Sequence, residues 1–129
     1  MLQALGKLYF EAREFSKAAE IYELALRTEP YDSKWMLDLV RVYAQTGDKA
    51  KQIAVLEKLV PTDADDLEQR KRLARMLLEA GRHQEAERYA RQALEIDVRD
   101  AEAQEFLFKA LLGQNKANEV ERLRKILDS

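Results

Sequence analysis

The residue types that carry out most enzyme chemistry are scarce in this chain of 129 residues. It contains no cysteine, which excludes a thiolate metal site and a cysteine nucleophile, and its one histidine is His83. No serine stands in a nucleophile-elbow pattern, and the four glycines stand apart instead of forming a phosphate-binding loop. We therefore predict no catalytic residues, no metal site and no cofactor, and we interpret His83 as a packing or surface residue.

Charge is abundant but balanced. Charged side chains make up 36% of the chain, and the net charge is −2. Paired carboxylates such as Glu85 and Glu87 lie among lysines and arginines at helical spacing, which is typical of a solvated ion-pair surface. The balance gives no general attraction to nucleic acid, and no apolar run approaches the ~20 residues of a membrane span. We predict a soluble protein that is not an enzyme, binds no nucleic acid and inserts in no membrane, with the cytoplasm only slightly favoured.

One spacing does indicate binding. Leucine recurs every 34 residues, at Leu5, Leu39, Leu73 and Leu107. In this register one position is basic in every unit, at Lys7, Arg41, Arg75 and Lys109. A second position is always apolar, at Phe10, Ala44, Leu78 and Leu112. The register divides the chain without insertions into units 1–32, 33–66, 67–100 and 101–129.

Two short amphipathic helices in each unit would position these rows. In the first unit the apolar residues Leu5, Leu8, Tyr9 and Ala12 have the i, i+3, i+4, i+7 spacing of one helical face. Turns are expected at Gly47 and Gly81. The predicted helices span 2–13, 16–28, 34–46, 50–60, 67–80, 84–96, 101–113 and 117–128.

Short polar residues precede several of these helices. Asp32, Asp66 and Asp100 share one repeat position just before a first helix, where a carboxylate can accept hydrogen bonds from free backbone N–H groups. Asp66 and Gln69 have capping-box spacing. Pro61 is predicted to end the second helix of the second unit early, because proline blocks helix continuation.

These features together resemble the tetratricopeptide repeat (TPR) family, whose period is 34 residues. The counterparts of the family motif in the first unit are Leu2-x2-Leu5-Gly6-x2-Tyr9, Ala18-x3-Tyr22 and Pro30. The resemblance covers the whole chain and is weakest in the fourth unit. It implies an all-α fold, a right-handed superhelical α-solenoid of about eight helices paired in antiparallel hairpins. It also implies a single domain over residues 1–129.

The two ends of the array differ. Arg124 and Asp128 replace residues that are apolar in the other units, which is typical of a polar terminal cap or of a solvated tail. At the start, Met1, Leu8 and Ala12 form an apolar face that a preceding hairpin would cover. We therefore expect the sequence to be the C-terminal piece of a longer array, or a small protein that self-associates through this face.

The TPR resemblance implies that the first helices line a concave binding face. We predict that this face binds a peptide or partner protein with acidic and apolar side chains, as a non-catalytic protein–protein interaction scaffold. The predicted contact residues are Lys7, Phe10, Leu37, Arg41, Lys71, Arg72, Arg75, Leu78, Phe106, Lys109 and Leu112. The alternative is that the basic row forms only local ion pairs, with neighbours such as Asp38 and Glu79.

Other functions stay open at this point. The chain could be a self-association module or the accessory domain of a larger enzyme. Some TPR domains clamp the acidic tails of chaperones, and the aligned positions here are Gln3, Lys7, Asp38, Glu68 and Arg72. Of these only Arg72 fits that pattern, and two carboxylates would repel an acidic tail. The strict 34-residue period argues against RNA-reading helical repeats, which use 35. The sequence names neither the partner nor the pathway.

Overall fold

The computed structural model describes residues 2–128, and that part of the chain is entirely helical, with no β-strand. Its elements are α1 (Leu2–Glu11), α2 (Phe15–Thr28), α3 (Ser33–Thr46), α4 (Lys49–Leu59), a 3₁₀ turn (Val60–Thr62), α5 (Leu67–Glu79), α6 (His83–Ile96), α7 (Ala101–Leu112) and α8 (Ala117–Leu127). Each helix begins and ends within two residues of its predicted bounds. The predicted all-α class is confirmed.

The helices divide between two compact units, Met1–Ala64 and Asp65–Ser129. In the first unit α1 packs on α2, α2 on α3, and α3 on α4. In the second, α5, α6, α7 and α8 follow the same order, and α5 also contacts α7. Each unit is therefore built from two consecutive helix hairpins. The single domain over residues 1–129 stays a prediction.

Aspartate side chains cap the helices, as predicted. Asp32, Asp66 and Asp100 each accept a hydrogen bond from a backbone N–H two or three residues later, at 2.8, 3.1 and 2.9 Å. Asp48 caps α4 in the same way at 3.1 Å. The predicted capping box at Asp66 is only half formed, because the side-chain oxygen of Gln69 is buried without a hydrogen-bond partner.

The turn inside each hairpin has one conformation in all four repeats. Gly47 and Gly81 have positive φ angles of 73° and 75°. Arg13 and Asn115 occupy the same repeat position, with φ angles of 60° and 62°. A left-handed conformation costs a residue with a side chain roughly 1–2 kcal/mol, and asparagine tolerates it better than most. The first turn is therefore the strained one.

Pro61 shortens the second hairpin. Helix α4 has 11 residues, against 14 in both α2 and α6, and it gives way at Val60 to the 3₁₀ turn. The hydroxyl of Thr62 donates to the carbonyl of Leu59 at 2.6 Å, which satisfies a helix-end acceptor. The predicted early end of this helix is confirmed.

Within the first hairpin, α1 and α2 meet at a pair of positions where a glycine faces a large ring. The four pairs in register are Gly6–Tyr22, Val40–Leu56, Ala74–Ala90 and Phe108–Arg124. A Cβ atom built on Gly6 would lie 2.6 Å from the ring of Tyr22, so only glycine allows that ring to pack there. In the last pair the aromatic residue is on the first helix instead of the second, and the Arg124 guanidinium lies 4.5 Å from the centre of the Phe108 ring.

Candidate functional site

The first unit contains a groove of about 420 Å³ between α1, α2 and α3. This unit-1 groove is lined by Gln3, Lys7, Phe10, Glu11, Tyr22, Asp38 and Arg41. Lys7, Phe10 and Arg41 were predicted contact residues, and two different helices bring them to one groove. Leu37, also predicted, is half-buried on α3.

The charges of the unit-1 groove are loosely paired. The Arg41 guanidinium lies 3.4 Å from the Asp38 carboxylate, and most of its side chain is exposed. Burial raises the pKa of the Asp38 carboxyl above its usual range, against the opposite pull of Arg41. Burial also raises the pKa of the Tyr22 hydroxyl, and the charge of Asp38 adds to that shift. Lys7 has no ion pair with any residue between 2 and 128.

The second unit has a smaller recess of about 110 Å³ between α5 and α7. This unit-2 recess is lined by Glu68, Lys71, Arg72, Arg75, Glu102 and Phe106. Four of these six, all except the two glutamates, were predicted contact residues. The structure therefore brings the predicted α5 cations together with the aromatic residue of α7.

Two of the predicted residues in the unit-2 recess are part of its framework. The Lys71 ammonium lies 2.9 Å from Glu102, 3.1 Å from Asp100 and 3.6 Å from Glu68, and its side chain is only 11% exposed. Hydrogen bonds to Glu102 and Asp100 hold the pKa of Lys71 well above its usual range, against the effect of burial. Phe106 is 8% exposed. Both side chains join α5 to α7.

Unlike Lys71, Arg72 and Arg75 are not held by ion pairs within the described part of the chain. Arg72 is half-buried and Arg75 is exposed, and neither forms an ion pair with any residue in the described range 2–128. The local ion pairs of the alternative interpretation are therefore present at Arg41 but not at Arg75. Leu78, the remaining predicted residue of α5, is half-buried.

A third depression, of about 370 Å³, lies between α7 and α8. This α7–α8 groove is lined by Ala101, Gln104, Glu105, Phe108, Lys109, Leu112 and Arg124. It contains the predicted residues Lys109, which pairs with Glu105 at 3.0 Å, and Leu112, which is 50% exposed. Sequence reasoning assigned Arg124 only to a terminal cap. Its register with the buried Tyr22 was the available signal that it lies against α7.

His83 is a packing residue in the structure. It is half-buried at the start of α6, and its ring lies so close to Gly113 that a Cβ there would collide with it. Over residues 2–128 there is no cluster of three or more histidine, aspartate or glutamate side chains that could hold a metal ion. In the same range no helix is both long enough and apolar enough to cross a membrane.

Comparison with known protein families gives two matches. A family profile described as "Tetratricopeptide repeat" matches residues 9–76, which is more than half of the chain. A second profile of the same description matches residues 70–96. No curated protein matches the chain in sequence.

Solved structures with the same fold extend these matches over nearly the whole chain. A MamA structure designated AMB-1 is 20% identical with a TM-score of 0.80, covering 96% of this chain and 68% of its own. One designated MSR-1 is 19% identical with a TM-score of 0.72, covering 96% and 71%. A tetratricopeptide repeat protein from Parabacteroides merdae is 17% identical with a TM-score of 0.71, covering 98% and 49%. Identities this low show the fold alone, and that fold is the predicted all-α helical-repeat solenoid.

Proposed function

Because the chain belongs to the tetratricopeptide repeat family, we propose that its first helices bind a peptide or protein partner carrying acidic and apolar side chains. The chain is a protein–protein interaction scaffold of this family, and the proposal concerns the partner and the contact residues. The observation that supports it best is the unit-1 groove, where Lys7, Phe10 and Arg41 line one surface.

Each part of that surface has a separate physical role. Phe10 is half-buried, and covering its remaining apolar area would contribute about 25 cal/mol per Å². Lys7 is unpaired within residues 2–128, and Arg41 is held only by a 3.4 Å contact to Asp38. Exposed cations of this kind attract and orient an acidic partner more than they hold it. Apolar burial would therefore give most of the affinity, and the cations would give the selectivity.

In the second unit the proposed contact residues lie on α5 and α7. Arg72 and Arg75 would meet acidic side chains, because no carboxylate in the described residues neutralises them. The remaining proposed contacts, on α3, α5 and α7, are Leu37, Leu78, Lys109 and Leu112. Lys71 and Phe106 would support this surface from below, since both are almost fully buried.

Peptide display tests the proposal without a known partner. A library of random 12-residue peptides is selected on the full chain and, in parallel, on Arg41→Glu. We expect the wild type to enrich peptides with Asp or Glu next to apolar residues. The charged residues that line the unit-1 groove are two cations and two carboxylates, Lys7, Arg41, Glu11 and Asp38. Arg41→Glu therefore changes the formal charge of the lining from 0 to −2. We expect this variant to shift the enriched charge towards Lys and Arg.

A matched control uses another exposed cation of the same unit. Lys58→Glu makes the same kind of charge reversal on α4, away from the unit-1 groove. It should leave the selected peptides unchanged. Equal shifts for Lys58→Glu and Arg41→Glu, or no acidic enrichment on the wild type, would contradict the proposed binding surface.

We also propose that the chain acts by binding alone, without enzymatic activity, cofactor or nucleic-acid ligand. The repeats of this family are typically non-catalytic, and the net charge of −2 gives no general attraction to phosphate backbones. A filter-binding assay with single-stranded RNA at low salt tests the last point. Saturable binding under those conditions would show that the exclusion of nucleic acid is wrong.

A second candidate function is self-association through α1. Leu8 is 62% exposed and Leu5 is 37% exposed, whereas Val42 and Leu39, at the same repeat positions, are 0% and 2% exposed. Ala12, the other predicted member of this face, is exposed, and Met1 lies outside the described residues. An apolar face of this kind favours a partner that covers it.

Sedimentation velocity tests this second function directly. If α1 mediates a dimer, the sedimentation coefficient rises with concentration in the wild type and stays at the monomer value in Leu8→Glu. Leu24→Glu, which changes another exposed leucine in the same unit, is the control and should behave as the wild type. A wild-type monomer at high micromolar concentration would exclude self-association.

A further inference from the structure

We propose that Arg124 and Phe108 form a carboxylate-binding site in the α7–α8 groove, for an acidic side chain next to an apolar one. The inference rests on the proposed binding function and adds a contact on a second helix of a hairpin. Arg124 lies on α8, whereas all the residues of the proposed surface lie on first helices.

The first observation is the state of the Arg124 side chain. Its guanidinium lies 4.5 Å from the centre of the Phe108 ring, and it has no hydrogen bond or ion pair with any side chain between residues 2 and 128. Stacking over an aromatic ring holds a long, flexible side chain in place while its N–H donors stay unused. Such a group has already lost part of the conformational entropy that binding would otherwise cost.

The second observation is that the one carboxylate that lines the groove within residues 2–128 is already paired. Glu105, which lines the α7–α8 groove, lies 3.0 Å from Lys109. Glu121 and Asp128, one turn from Arg124 on either side, form no ion pair with it in the described residues. The charges that line the groove are therefore one neutralised pair and one cation, Arg124. This net positive charge favours an anion. Planar guanidinium groups bind carboxylates through two parallel hydrogen bonds.

The third observation is the apolar surface beside the cation. Leu112 is 50% exposed on the groove wall, and Phe108 lies beneath the guanidinium. Leu112 lines the same groove as Arg124, so a ligand with a carboxylate on Arg124 can place a neighbouring side chain against Leu112. An apolar side chain there would remove hydrocarbon from water, so the expected ligand has an apolar residue next to its acidic one.

The repeat register distinguishes this site from a simple polar cap. At the position of Arg124 the other hairpins have Tyr22, Leu56 and Ala90, and at the position of Phe108 they have the smaller Gly6, Val40 and Ala74. A cap that served solubility alone would need a charged residue on α8, but α7 could keep the smaller residue found at this position in the other hairpins. Both members of the pair differ here, and the ring supports the cation. That combination is expected of a site that presents a guanidinium.

The test is an NMR titration of the full ¹⁵N-labelled chain, which observes the Nε–Hε signal of Arg124. The probes are acetyl-Leu-Glu-Leu-amide and its isostere acetyl-Leu-Gln-Leu-amide. We expect the Glu peptide to bind about fivefold more tightly than the Gln peptide, with a saturable shift of the Arg124 signal. The preference should disappear in Arg124→Gln and survive in Arg122→Gln, which removes an exposed arginine two residues away on the same helix.

The outcomes separate this inference from the function on which it rests. A preference for the Glu peptide that survives in Arg124→Gln but is lost in Arg75→Gln would overturn the Arg124 site and leave the proposed surface standing. Loss in Arg124→Gln alone supports the site. No saturable shift of the Arg124 signal up to about 20 mM peptide, where even millimolar binding would be seen, would also overturn it.

Discussion

The two compact units differ in the side chains that hold their helices together. Seven of the ten aromatic residues lie in the first unit, and both of the close aromatic pairs found within residues 2–128 are there, with ring centres 5.3 and 6.0 Å apart. In the second unit, charged side chains bridge neighbouring helices, through Lys71 between α5 and α7 and through Arg91 between α6 and α8.

The comparison teaches that one repeat register can be stabilised by two kinds of interaction. In the first unit the Tyr22 ring packs closely on Gly6. A hydrogen bond from the Tyr43 hydroxyl to the Glu23 carboxylate adds a polar link between the two hairpins of this unit. In the second unit the buried ammonium of Lys71 forms ion pairs with three carboxylates. Apolar packing depends weakly on pH and salt, and ion pairs depend on both, so the units should respond differently to the same perturbation.

The largest effect is expected from Lys71→Met in the second unit. It leaves the Asp100 carboxylate, which is 15% exposed, without its cation, whereas Glu68 and Glu102 are mostly exposed and lose little. We therefore expect a loss of about 3 kcal/mol in the free energy of unfolding. Lys109→Met removes an exposed ion pair and should cost less than about 0.5 kcal/mol. Urea unfolding followed by circular dichroism measures both. Equal losses would show that the Lys71 cluster is not a structural bridge.

The next effect concerns the first unit. Gly6→Val places a branched side chain against the Tyr22 ring and should cost about 2 kcal/mol through overpacking. Adding Tyr22→Leu recreates the Val40–Leu56 pair of the second hairpin and should recover most of that loss. Fluorescence of Trp35, the single tryptophan, reports on this unit during urea unfolding. Additive losses in the double variant would contradict size compensation between positions 6 and 22.

Low pH should destabilise the second unit more than the first, although by less than the substitutions above. The backbone N–H of Ala103 and the Lys71 ammonium hold the pKa of Asp100 below its usual range. Burial of Glu87 opposes its ionisation, but hydrogen bonds from Arg91 and Gln114 outweigh it and lower the pKa. Lowered carboxyl pKa values stabilise the fold above about pH 5, and this stability is lost as the pH falls through them.

In the first unit, the pKa of Asp38 shifts in the opposite direction. Its pKa is raised by burial, so the folded state holds a proton more readily than the unfolded chain and this group favours folding as the pH falls. Between about pH 5 and pH 3 we expect amide exchange to show faster opening of α5–α8, while Trp35 fluorescence stays constant. Asp100→Asn, which keeps a capping side chain, should reduce the acid sensitivity of the second unit. Parallel loss in both units would contradict the comparison.

The smallest effects are expected at the turns. Arg13→Gly removes the strain of a left-handed arginine and should stabilise the first unit by roughly 0.5–1 kcal/mol, after the entropy that glycine adds to the unfolded chain. Asn115→Gly in the second unit should change stability by less than about 0.3 kcal/mol, since asparagine already tolerates this conformation. Thermal unfolding of both variants, with Gly47→Ala as a destabilised reference, shows whether Arg13→Gly is the more stabilising substitution.

Local signals were sufficient to predict the helices. The spacing of apolar residues, the aspartates that precede α3, α5 and α7, and Pro61 each act within a few residues, so their effects are visible in the sequence. The turn conformation at Arg13 and Asn115 could also have been predicted from the sequence, since both lie in register with Gly47 and Gly81. The predicted helices already leave a break at or next to each of these two residues, but no left-handed residue was predicted there, because only the glycines were considered as turn residues.

The environment of the site residues could not be predicted in the same way. Lys71 looked like a free cation on α5, but its partners Asp100 and Glu102 come from the following hairpin, 29 and 31 residues away. Phe106 lies beside the apolar row in sequence, and its burial depends on how α7 packs. Arg75, whose predicted environment contained a nearby glutamate, has no ion pair in the described part of the chain. Such differences depend on distances between elements, which a periodic pattern does not contain.

The aspartate caps also bear on how such a chain can change over evolutionary time. Asp32, Asp66 and Asp100 each start a hairpin with their own capping bond, and each 34-residue block contains one left-handed turn. Duplication or deletion of one such block leaves every remaining cap and turn in place. An event of any other length separates a helix from its cap or a turn from its helices. Selection should therefore accept changes in the length of this array in steps of one hairpin, and the gene can gain or lose binding surface without redesign of the remainder.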